Sequence, residues 1–209
     1  MSLIEDLEWR YATKSFNTTK SVSKDDLDKL IHAVQLTPTS LGLQTFHLHV
    51  IESHELKQEL FLASFNQQQV VQASHVMVIS YYPQVVEKQV DEIIAIKSKL
   101  ENIPVSTLVP FKEFVMGYIN RMEPQDMDIW SAKQTYIAMG VLLSACAELH
   151  IDACPMEGFD KNAYDNILNL TEKGLKSSLV IPIGYRDSED KYQFMKKVRR
   201  DISDLTTFL

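Results

Sequence analysis

The stretch SAKQTYIAMGVLLSACAELHIDACPMEGF, Ser131 to Phe159, decides how this chain is read. Its first two-thirds predicts one long helix. Tyr136, Ile137, Met139, Val141, Leu142, Leu143, Ala145, Cys146 and Leu149 leave almost no polar face, so the helix belongs in a core or an interface. It then breaks and continues through Asp152, Ala153, Cys154 and Pro155 into Met156-Glu157-Gly158-Phe159. Pro155 pushes its predecessor toward an extended backbone, and Gly158 admits a close approach by another group. A buried helix that delivers such a turn suggests a floor on which a flat ligand can rest.

The 209 residues can bury a sizeable core and are read as a single domain, 1–209. A charged share of 23% and a hydrophobic share of 45% are those of an ordinary soluble globule. The long helix is interrupted by Gln134, Ser144 and Glu148, which argues against a membrane span. The N-terminus carries Glu5, Asp6 and Glu8 in place of a basic and then apolar region, so the expected location is the cytoplasm. Two cysteines, Cys146 and Cys154, suggest neither a disulfide framework nor a metal site. None of the six histidines has a spacing that commits to metal. A net charge of −7 argues against broad binding to nucleic acid or anionic membrane. An anionic ligand therefore requires a local basic cluster.

Working outward, Ser2 and Glu5 fit a capping box that opens a short helix through Trp9. Ser23 caps a second helix with Leu27, Leu30, Ile31 and Val34 on one face, and Thr37-Pro38-Thr39-Ser40 stops it. Phe46 to Ile51 reads as a strand with His47 and His49 on one face. Ser53 starts the next helix, and Val76 to Tyr82 is the continuous apolar run of a central strand. Helices follow up to Leu100 and over 106–121. After the central helix, Asp160 caps a helix through Leu170, and Ser178 to Gly184 makes the last strand. The tail beyond Asp187 carries Ile202, Leu205, Phe208 and Leu209, which find no partner in a compact monomer. The fold class is α+β, one central mixed or antiparallel sheet wrapped by helices.

Arg10 and Lys14 lie four apart near one end of the chain, and Lys197 and Arg199 two apart near the other. In an extended segment the latter pair points to one side and can grip a phosphate. By spacing alone, the run reads first as a solvated basic stretch. Likewise Asn66 to Gln69 reads as a polar surface turn, and Phe111, Phe114 and Tyr118 read equally as core packing at helical spacing. No Gly-rich nucleotide fingerprint occurs, so a dinucleotide has no Rossmann crevice of its own.

Taken together, these segments resemble the FMN-dependent nitroreductases in order and spacing over nearly the whole chain. The resemblance implies an intertwined homodimer with a C-terminal extension and FMN at the subunit interface. It assigns Arg10, with Tyr11 and Ala12 beside it, to the flavin phosphate, and Lys14 to the pyrimidine side of the ring, where a fixed cation stabilises charge that develops on reduction. The family's Pro-Ser-Ser-x-x-x-Gln-Pro-Trp segment is similar to Pro38-Thr39-Ser40-Leu41-Gly42-Leu43-Gln44-Thr45-Phe46, which would reach the opposite subunit's cofactor. An asparagine frequent there is Gly42 in this chain. Asn66 matches the residue at the polar edge of the ring, and Gln69 stands where a lysine is common, which implies a lower flavin potential. Gln134 matches a residue near the flavin. Pro155, Met156, Glu157 and Gly158 match the turn whose main-chain N–H groups meet the ring, and Lys197 and Arg199 match the phosphate pair. Phe111, Phe114 and Tyr118 become candidates for gating substrate. The implied activity is ping-pong, two-electron reduction of a nitroaromatic or quinone with NADH or NADPH as reductant. Three alternatives stay open: a flavoenzyme with one specific metabolite substrate, a non-catalytic FMN-binding module, and a cofactor-free helical interaction protein.

Overall fold

The computed structural model describes residues 2–209. A four-stranded antiparallel sheet runs in the order β1-β2-β4-β3, with β1 Phe46–Ile51, β2 His75–Tyr81, β3 Asp152–Ala153 and β4 Lys176–Gly184. Every residue of β2 is buried and all but the first of β4, as expected for continuous apolar runs at the sheet centre. Successive side chains alternate between two cores. Val76, Val78 and Val180 face a layer built with Leu60, Ala63, Val70 and Tyr164. Met77, Ile79, Leu179 and Ile181 face Leu30, Val34, Ala138, Leu142 and Cys146.

The first layer comes from α3 His54–Ala63, α4 Gln69–Gln72 and α8 Lys161–Ile167. The second comes from α2 Lys24–Gln35 and α7 Pro124–Glu148, with α1 Leu3–Trp9 against α7. A satellite core joins α5 Glu87–Glu101 and α6 Val109–Ile119 to the start of α7 through Val90, Ile94, Val115, Ile119 and Met127. A last short helix, α9 Ile202–Leu205, lies in the tail. No helix among the described residues is long and apolar enough to cross a membrane.

The helix starts follow local chemistry. Ser2 and Glu5 close the expected capping box, and Ser23, Ser53 and Asp160 each accept a hydrogen bond from a first-turn N–H. Several expectations shift. The central helix begins at Pro124 rather than Ser131, because Pro at the first helical position needs no N–H partner. The helix capped by Asp160 ends at Ile167. The central helix is also not buried all round within the protomer. Ala138, Leu142 and Cys146 are enclosed, while Ile129, Tyr136 and Ile137 are 41–47% exposed. With Leu3, Ala33, Gly140 and Val141, Tyr136 and Ile137 line an open apolar surface shared by α1, α2 and α7.

The turn after α7 lies along the sheet edge. Cys154 N–H donates to Pro182 O at 3.0 Å, and Met156 and Val180 exchange main-chain hydrogen bonds at 2.8 and 3.1 Å. Ala12 pairs in parallel with Ala153, so the segment after α1 runs beside this floor. Phe16 closes it from below. A Cβ on Gly184 would come within 3.0 Å of Phe16 Cδ1 and 3.1 Å of Ser74 N. Gly184→Ala is expected to destabilise the fold by about 1–3 kcal/mol, because one of those neighbours is main chain and cannot turn aside. Urea unfolding reads it, and an unchanged midpoint would contradict this packing.

Candidate functional site

Arg10, Tyr11, Ala12, Lys14, Pro155, Lys197 and Arg199 line one open cavity of about 460 Å³, together with Tyr192, Met195, Lys196 and Val198. Both ends of the chain thus meet at the floor turn. Arg10, Lys197 and Arg199 are close enough to perturb one another. Burial and then Arg199 hold the Arg10 guanidinium below its ordinary pKa. Burial and then Arg10 and Arg199 do the same to Lys197. No carboxylate lies within salt-bridge distance of Arg10, Lys14, Lys197 or Arg199 among the described residues. Lys197 Nζ donates to Glu8 O and Arg199 to Val198 O, both neutral acceptors. Like charges gathered without an internal counterion form a ready anion site, and Arg supplies the forked donor set that suits a phosphate.

Deeper in, Lys14 Nζ stands 3.4 Å from Cys154 Sγ. Cys154 is fully buried, and burial pushes its thiol up, with Lys14 drawing it partly back. Gln69 is 5% exposed and its Nε2 faces Gln67 Oε1 at 3.0 Å, Met156 Sδ at 3.7 Å and Cys154 Sγ at 4.0 Å. Gln67 Nε2 in turn donates to Gly158 O at 2.7 Å. Gly158 has no positive φ, and Gln67 Nε2, at 3.9 Å, is the only protein atom within 4 Å of where its Cβ would sit. The space above this turn is therefore open. Glu157 and Gly158 are exposed, and no protein acceptor meets either main-chain N–H among the described residues. Phe65 and Asn66 both hold left-handed φ, 54° and 58°, costly for Phe65 and tolerated by Asn66, and both are exposed beside Gln67.

The other candidates form a second group outside this cavity. Gln134 Oε1 accepts from Ser40 N–H at 2.9 Å, and its Nε2 donates to Trp130 O at 2.8 Å. This buried amide fastens the Pro38-Thr39-Ser40 loop to α7. Leu41, Gly42 and Gln44 carry φ of 58°, 68° and 44°. A left-handed backbone at 42 suits Gly or Asn equally, so Gly42 keeps the loop's shape and forgoes a side-chain amide. Phe114 and Tyr118 are 61% and 42% exposed, with Tyr118 6.3 Å from Trp130, while Phe111 packs on the satellite core. Of the three aromatics, Phe114 and Tyr118 remain free to meet a ligand.

Several organising residues were missed from sequence. Asp190, 3% exposed, accepts from Tyr11 Oη at 3.0 Å and from the N–H groups of Lys14, Ser15 and Tyr192 at 2.8, 3.1 and 3.0 Å. It fixes the tail to the Arg10–Ser15 segment. Arg186 bonds Asp152 through Nε at 2.8 Å and lies between Trp9 and Tyr11, 4.2 and 4.6 Å from their ring centres. Trp9 stacks on His150 at 4.7 Å on its other face. An Asp two residues before Tyr192 carries a weak local capping signal, but nothing local announces its partners 175 and more positions away.

The comparisons with known proteins give the family and the fold. The family model described as "Nitroreductase family" matches residues 7–185. The chain is 31% identical over 217 residues to the major NAD(P)H-flavin oxidoreductase of Aliivibrio fischeri, covering 99% of this chain and 98% of that one. It is 27% identical over 215 residues to the oxygen-insensitive NAD(P)H nitroreductase of Enterobacter cloacae, covering 99% of each. A structure from Exiguobacterium sibiricum, described as a nitroreductase in complex with FMN, superposes with a TM-score of 0.85 at 18% identity, over 100% of this chain and 98% of that one.

Burial raises the Asp190 carboxyl, but the hydrogen bonds from Lys14, Tyr192, Ser15 and Tyr11 outweigh it and hold the group below its ordinary 3.8. Its stabilisation is therefore complete above about pH 4 and is lost as pH falls through the lower folded-state value. Asp190→Asn is expected to be less stable than wild type at about pH 7, with a smaller gap at about pH 3. Urea unfolding at the two pH values checks it; a gap that does not narrow contradicts the assigned network.

Proposed function

We propose, on the premise that this chain belongs to the nitroreductase family, that it is an FMN-dependent NAD(P)H oxidoreductase acting on flat aromatic acceptors, nitroaromatics or quinones. The observation that carries this reading is the convergence of Arg10, Lys197 and Arg199, three cations with no ion-paired acid among the described residues, beside a floor turn with free N–H groups. These residues fit FMN: a phosphate needs the cations, and an electron-rich ring edge needs the donors.

In this reading Arg10, Lys197 and Arg199 hold the phosphate, and Tyr11 and Ala12 line the path from it to Lys14. Lys14 places a fixed positive charge by the pyrimidine edge, which favours the reduced, more anionic ring. The N–H groups of Glu157 and Gly158 hold the ring's other edge, with Pro155 and Met156 beneath as an apolar floor. Gln69 donates where a second cation would otherwise stand, and Asn66 donates beside it. Bound FMN supplies the two-electron relay between NAD(P)H and acceptor. One face must serve both partners in turn, since the chain has no Rossmann crevice, and this predicts ping-pong kinetics.

The site is completed by a second copy. The open apolar surface of α1, α2 and α7 and the exposed tail, with Ile202, Leu205 and Phe208 each at least 73% exposed, are unmatched within one protomer. A homodimer buries them and brings the partner's Pro38–Gly42 loop, Gln134 and the aromatics Phe114 and Tyr118 over the flavin. Cytoplasmic location follows as the default for such an enzyme.

The purified protein is expected to be yellow and to bleach within the kinetic dead time to seconds when NADH or NADPH is added without oxygen. Lys197→Gln/Arg199→Gln should weaken FMN binding by about 10–100-fold with the fold intact. A colourless protein with no affinity for FMN would overturn the reading, and a flavin that is bound but not reduced would make it a binding module. For the assembly, Ile137→Glu should give a monomer that has lost FMN affinity, read by sedimentation and flavin fluorescence; a dimer retained in that variant would move the interface elsewhere.

A further inference from the structure

A separate cavity of about 300 Å³ opens between the loop after Phe16, the first turn of α3 and the end of α4. Its floor is Lys57, 8% exposed, on α3. The ammonium donates to Ala73 O at 2.9 Å and Ser74 O at 3.2 Å, the carbonyls at the end of α4. Its third N–H meets no protein acceptor, and no carboxylate pairs with it among the described residues. Glu52, whose charge acts on it, is 81% exposed and directed at His75 at 3.3 Å. Burial lowers the Lys57 pKa and Glu52 only partly restores it. A buried cation held only by neutral carbonyls, with no ion pair, is costly to a fold.

The rest of the lining adds one further cation, Lys20, and several neutral polar groups. Lys20 and His54 stand at the rim, Thr18 and Ser21 bring hydroxyls, and no acidic residue lines the space. Lys20 makes no ion pair among the described residues. Ser21 Oγ and Ser74 Oγ are 2.9 Å apart, and Ser74 Oγ also accepts from Val22 N–H, so the wall is already ordered. On a chain of net charge −7 this is a second local basic pocket, independent of the one that holds Arg10 and Arg199.

We infer that this cavity binds a compact oxyanion, a free phosphate or the phosphate of a small phosphomonoester, on Lys57 with Lys20 and His54 closing over it. Lys57 gives its remaining N–H as a point-charge donor, and the hydroxyls bond the outer oxygens. The occupied cavity borders the cofactor segment: Gln72, which lines it, accepts from Phe16 N–H at 3.2 Å and Ser15 Oγ at 3.4 Å, directly after Lys14. Anion binding therefore firms the backbone that carries Lys14. This does not rest on the proposed activity.

The test is calorimetric titration of the FMN-loaded protein with inorganic phosphate and, separately, glycerol 3-phosphate, at constant ionic strength. Flavin already occupies the first cluster there. Should the chain take up no flavin, the same titration in the Lys197→Gln/Arg199→Gln background isolates the second site. Saturable binding that weakens at least about tenfold in Lys57→Met supports the assignment. Because that variant also strips two carbonyls of their donor, Lys20→Gln/His54→Gln is measured beside it; both positions are exposed, and about threefold or greater weakening is expected. Tighter binding of glycerol 3-phosphate than of inorganic phosphate identifies a phosphomonoester, and the reverse identifies the free ion. No saturable heat with either ligand, or affinities unchanged in both variants, overturns the inference.

Discussion

A single buried carboxylate brings the two ends of this chain together. Asp190 takes three main-chain N–H groups and the Tyr11 hydroxyl, and two of those N–H groups belong to Lys14 and Ser15. Hydrogen bonds to an ionised acceptor are among the stronger neutral-to-charged contacts a protein makes. Without this junction, Lys197 and Arg199 would have no reason to stand beside Arg10, because those three cations repel. The fold spends a well-satisfied negative charge on the scaffold and leaves the positive ones unsatisfied at the surface of the cleft.

A column of flat groups supports the same junction from the other side. His150, Trp9, Arg186 and Tyr11 stack in sequence, and Arg186 is tied to Asp152, whose other oxygen accepts from the Arg186 N–H. Thr13 also donates to Asp152. The end of α7, the end of α1 and the exit of β4 are therefore locked into one unit. The floor turn at Met156 is an extension of the sheet through its bonds to Val180, so the cleft is positioned by rigid elements on both walls, as a site needing sub-ångström placement requires.

The protomer also carries surfaces that pack on nothing within it. Gln134 secures the Ser40 loop, left-handed residues at 41, 42 and 44 shape it, and Leu43 anchors it in the satellite core. The uncovered surfaces are the apolar side of α7 and the unpaired tail. In the proposed homodimer these surfaces would meet their counterparts on the other copy.

Much of this was legible in sequence, for local reasons. The caps at Ser2, Ser23, Ser53 and Asp160, the apolar runs of β2 and β4 and the breaks at Pro38 and Pro155 all act over a few residues, so their consequences could be read directly. The order of basic and turn segments carried the family resemblance, and Arg10, Lys14, Pro155, Lys197 and Arg199 do share one cavity. The sequence by itself thus determined the element order, the sheet's central strands and the residue types able to hold an anion. Only the tertiary structure decided that Asp190 and Arg186 would organise them, that one side of α7 stays uncovered and that Lys57 is buried without a counterion. Those outcomes depend on contacts between residues far apart in the chain, and neither spacing nor composition records which distant partner satisfies a buried charge.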